Sequence, residues 1–133
     1  MRTDVIRFSG CAIAVVAAIV FLSAQAQPPQ DPSKPEFYTT QVKPVLTSNC
    51  GSCHLGANHR GGLNFDTRES LLKGGHSGPA IVPGDPGSSF LVKLIRHEGP
   101  ADDPKNMPPN KPKLSDADIK TIETWIKAGA VMP

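Results

Sequence analysis

The pentad "CGSCH", Cys50 to His54, constrains this chain more than any other stretch. Two cysteines at i and i+3 share one face of a helical turn, and a histidine follows at once. A chain with three ligating or reactive side chains in one turn must fold around what they bind. Several chemistries use such residues. A zinc ribbon takes four ligands, usually from two paired knuckles. The chain has no second C-x-x-C and no histidine at a standard spacing from the first. A thioredoxin-like thiol pair belongs beside a βαβ pattern, and none is present. A disulfide across C-x-x-C closes a tiny loop, stabilises little and leaves His54 without a role.

One further chemistry uses every residue. In C-x-x-C-H the two thiols add to the vinyl groups of haem as thioethers, and the histidine nitrogen reaches the iron. Cys50 and Cys53 are therefore the expected tethers of one covalent haem c, and His54 its proximal iron ligand. Attachment of this kind takes place outside the cytoplasm, and the N-terminus agrees. "MRTDVIRFSG" carries Arg2 and Arg7, an apolar run of fourteen residues follows from Cys11 to Ala24, and "AQA" ends it. That is the pattern of an export signal, residues 1–26, cut after Ala26. An uncleaved membrane anchor is the alternative, but the run falls short of the roughly twenty residues a span needs. Cys11 precedes most of the run and is discarded with it. A periplasmic or other extracytoplasmic location follows, with membrane contact only if this segment is retained.

Without Arg2, Arg7 and Asp4, twelve cationic and eleven anionic side chains remain, so the exported chain is near neutral. No basic stripe argues for nucleic acid. Aromatic residues make up 5% of the sequence, against 14 prolines and 12 glycines. A small domain of that composition buries a modest core and would gain from a large apolar ligand at its centre.

Residues 27–35, "QPPQDPSKP", read as a proline-rich linker, and residues 36–133 as one domain. A helix is expected over Glu36 to Ser48, kinked or restarted at Pro44, with the cysteine motif where it ends. Asp66 is the expected N-cap of a second helix, with Glu69 as its capping-box partner. Leu71 and Leu72 face inward there, and Gly74 and Gly75 stop it. "SSFLVKLIRHEG" reads as a third helix with Phe90, Leu91, Leu94 and Ile95 on its apolar stripe. The last helix is capped by Ser115, carries Asp116 and Asp118 at its positive end and stops at Gly129. Ile119, Ile122, Trp125 and Ile126 form its buried face, expected to pack on the first helix near the haem edge. No strand and no repeat is evident. The fold class is all-α: about four short helices with long Pro/Gly-rich loops around one haem.

A sixth iron ligand must come from Met107, Met132, His59, His76 or His97. His59 lies too close to His54 to cross to the other haem face easily. Met132 sits at a terminus that frays. His97 reads as a surface histidine at a helix end. His76, in a glycine-rich loop, is a weaker candidate than Met107, whose "NMPPN" setting fixes the backbone just after the sulfur. An open sixth site is the remaining alternative.

"FYTTQVKPVLTSNCGSCH", "GGLNFDTRESLLKGG", "SGPAIVPGDPGSSFLVKLIRH" and "MPPNKPKLSDADIKTIETWIKAGA" together resemble the planctomycete-type cytochrome c domain, a relative of the class I cytochromes c. The resemblance runs from about Phe37 to Ala130. It implies a small helical haem domain with His/Met ligation, carried here by His54 and Met107. The expected function is single-electron transfer between redox partner proteins, a membrane or periplasmic oxidoreductase among them, and not catalysis. Two other readings remain. One is a haem enzyme, gas-binding protein or sensor with an open sixth site. The other is a docked haem subunit of a larger oxidoreductase.

Overall fold

A computed structural model describes residues 30–98 and 105–133. The export segment, Cys11, the start of the linker and residues 99–104 of the loop before Met107 lie outside the described residues.

The first helix runs further than expected. Pro35–Phe37, Tyr38–Val42 and Lys43–His54 follow one another without a break, and we call the run 35–54 α1. Pro35 stands in its first turn, where a missing N–H costs nothing. The α-helical pattern resumes at Lys43, with Pro44 in the first turn of the resumed stretch. The proline's effect falls on the preceding turn, Tyr38–Val42, which widens so that the Lys43 N–H bonds the Tyr38 carbonyl. Proline has no N–H and its ring crowds the carbonyl four residues back; a wide turn relieves both. Thr39 and Thr40 hydroxyls donate to the Pro35 and Glu36 carbonyls at 3.1 and 2.7 Å. The helix then continues through Ser48 to His54, so the cysteine motif forms its last turn.

A 3-10 turn at Arg60–Gly62 and three shorter α-helices complete the described framework: α2, Arg68–Lys73; α3, Phe90–Ile95; and α4, Asp116–Lys127. Among the described residues there is no strand, only an isolated bridge between Gly75 and Gly78. The N-cap of α2 is Thr67, not Asp66: the Thr67 hydroxyl accepts from Ser70 N–H at 3.1 Å. Asp66 turns the other way and accepts from Gly56 N–H and from Asn64 Nδ2. Glu69 makes no capping box. Gly74 ends α2 at φ 74°, and a Cβ there would lie 1.8 Å from the Gly78 carbonyl oxygen.

The first and last helices do pack together. The rings of Tyr38 and Trp125 lie 5.4 Å apart, and Val42, Leu46, Ile122 and Ile126 are buried in the same core. Ser115 caps α4 by accepting from Asp118 N–H at 3.1 Å. Gly129, at φ 104°, closes it in a Schellman motif: Gly129 N–H bonds the Ile126 carbonyl and Ala130 N–H the Trp125 carbonyl.

The C-terminus does not behave as a fraying end. The Trp125 indole N–H donates to the Val131 carbonyl at 2.8 Å, and Arg68 donates to the carbonyls of Ala130 and Gly129. Met132 is half-buried against the core. No helix among the described residues is long and apolar enough to cross a membrane.

Candidate functional site

The end of α1 opens onto a cavity of about 410 Å³, a size that holds a cofactor (roughly 300–1,000 Å³). Cys50, Cys53 and His54 all line it, and so does Met107. His54 and Met107, 53 residues apart in sequence, are thus brought to one space. Its walls are mostly apolar, with Leu63, Phe65, Ala80, Phe90, Leu91 and Leu94 among them.

This explains a departure from the expected stripe of α3. Leu91, Val92 and Ile95 are its buried residues. Phe90 and Leu94 are only half-buried by protein because they face the cavity. Helix α4 contributes nothing to the lining. It backs α1 and α3 instead of lying at the cavity edge.

His54 is held at three points. Its carbonyl accepts from Phe65 N–H at 2.8 Å. Its ring stacks on Phe65, with centroids 5.2 Å apart. Its Nδ1 lies 3.1 Å from the Leu63 carbonyl. A carbonyl can only accept, so Nδ1 carries the proton, and in the neutral ring the lone pair then falls on Nε2. That is the tautomer a metal ligand requires, with the second nitrogen oriented by a backbone acceptor. Leu63 and Phe65 are the site residues that sequence reasoning missed. The alternating "LNF" of an extended segment was the available signal.

The thiols do not resemble a redox pair. Burial pushes the Cys50 thiol up to about 11, and neighbouring Cys53 adds to the effect. A reactive dithiol depends on the opposite shift. No group of metal-ligating side chains suited to a zinc site is present among the described residues.

The other candidate ligands fall elsewhere. His76 is exposed; its neighbours Gly75 and Ser77 line the cavity, but it does not. The ring of His59 lies 2.7 Å from the Gly56 carbonyl on the surface. Met132 is half-buried against the core, away from the cavity lining. His97 is not a free surface residue: it is half-buried, with Nε2 3.1 Å from the Met107 carbonyl.

The residues present fit haem. An imidazole with a free Nε2, two thiols one turn apart, a thioether and apolar walls meet in one cavity. Arg60, Lys105 and Lys111 add cations to the same lining, the charge that haem carboxylates call for. Residues 50–111 match the family model for planctomycete cytochrome C, a span that includes all four of these side chains. No curated protein and no solved structure matches the chain.

Proposed function

We propose, from the match of residues 50–111 to planctomycete cytochrome C, an exported monohaem cytochrome with His54 and Met107 as axial ligands. It passes single electrons between redox partner proteins, which include membrane or periplasmic oxidoreductases. The family implies covalent haem c and electron transfer. Bound haem supplies a one-electron couple, and a methionine ligand raises its potential relative to bis-histidine ligation.

The observation that carries the proposal is the shared cavity of Cys50, Cys53, His54 and Met107. Cys50 and Cys53 would hold the ring by thioethers, and His54 would bind iron through Nε2. The Leu63 carbonyl keeps the proton on Nδ1 and fixes the imidazole plane. The apolar walls exclude water. Among the described residues, the lining has no carboxylate and no histidine besides His54.

The test is extraction of the exported protein with acid–acetone. Haem is expected to stay with the chain, to show the pyridine haemochrome spectrum of two thioethers, and to number one per chain. Haem that extracts cleanly, or a colourless protein that binds zinc, would refute it.

A further inference from the structure

The backbone of Met107 is gripped at both polar ends by the terminus of α3. Its N–H donates to the Leu94 carbonyl at 3.1 Å. Its carbonyl lies 3.1 Å from His97 Nε2, so that nitrogen carries the proton and donates. Pro108 and Pro109 follow, and neither has an N–H with which to anchor the chain.

The backbone of His97 gives an independent reason to ask what its ring does. Helix α3 ends in a Schellman motif: His97 N–H bonds the Leu94 carbonyl and Glu98 N–H the Lys93 carbonyl, each at 3.2 Å. The residue in the left-handed position of that motif is usually glycine, and Gly129 fills it at the end of α4. At the end of α3 it is His97, with φ 54°. A side chain in that conformation is uncommon and strained relative to glycine. What the histidine adds is a half-buried donor aimed at the Met107 carbonyl.

We propose that His97 is a positioning residue for Met107. Its Nε2–H bond to the Met107 carbonyl holds the loop so that the sulfur stays in the cavity against competing ligands. It does not line the cavity itself, and it acts through Met107. The proposal rests on the reading that Met107 binds iron.

The test compares His97→Gly with His97→Gln in the haem-loaded protein. The glycine variant suits the backbone and removes the donor; the glutamine variant restores an N–H at similar reach. In His97→Gly, imidazole should displace the methionine from oxidised iron with about fivefold higher affinity, the scale of one hydrogen bond. The red iron–methionine charge-transfer band should weaken. His97→Gln should stay close to wild type in both. A silent His97→Gly, or a His97→Gln as perturbed as the glycine variant, would overturn the proposal. Met107→Ala separates the two levels. If its spectrum changes while His97→Gly is silent, only the positioning role fails. If it keeps the wild-type spectrum, the ligand reading fails and this proposal with it.

Discussion

Trp125 shows how much one side chain can hold. It is fully buried, contacts Tyr38 and ties the C-terminus through its indole N–H. Trp125→Ala should destabilise the protein by about 3–5 kcal/mol in a urea titration. Trp125→Phe keeps most of the apolar area but loses the bond to Val131, and should cost less. A Trp125→Ala variant with the wild-type midpoint would contradict this packing. At this scale the sequence was legible where chemistry lies in contiguous side chains, as in Cys50, Cys53 and His54. It was not legible where backbone groups do the work. The Leu63 carbonyl on His54 and the Met107 carbonyl on His97 depend on approaches that no side-chain pattern announces.

Among the elements, the last helix followed its sequence signals from Ser115 to Gly129, because cap, charges, apolar stripe and stop all agree. The second helix did not start where expected. Two adjacent residues, Asp66 and Thr67, could each cap it, and the contacts of Asp66 with Gly56 and Asn64 decide in favour of Thr67. Thr67→Ala should therefore cost about 1 kcal/mol. Asp66→Ala should leave the cap intact and act on the loop. Donation from Asn64 and Gly56 holds the Asp66 carboxyl below the ordinary carboxylate range. Its folded value is the lower one, so its contribution is present above the unfolded value of about 3.9 and is lost as pH falls through the folded value. Asp66→Asn should thus flatten the acid limb of the stability curve slightly, and an unchanged limb would contradict that. Gly74→Ala offers a sharper check. It combines a positive φ with a clash against the Gly78 carbonyl, and should destabilise more than Gly78→Ala, which has a positive φ (96°) but open space.

Over the whole molecule, the sequence conveyed the all-α class and the pairing of α1 with α4, since both follow from apolar periodicity. The assembly of the cavity was less legible. It depends on how the loops 74–80 and 105–111 close over the end of α1, and proline- and glycine-rich segments carry no periodic signal. The half-buried Phe90 and Leu94 make sense only once that cavity is seen. We propose that this cavity holds haem between His54 and Met107, a ligation that would close the iron to added ligands. The most direct measurement is the spectrum of the ferrous wild-type protein under carbon monoxide, beside that of Met107→Ala. Wild type should stay low-spin and unchanged, and Met107→Ala should bind the gas. Ready binding by wild type would contradict the account and make this an open-site haem protein.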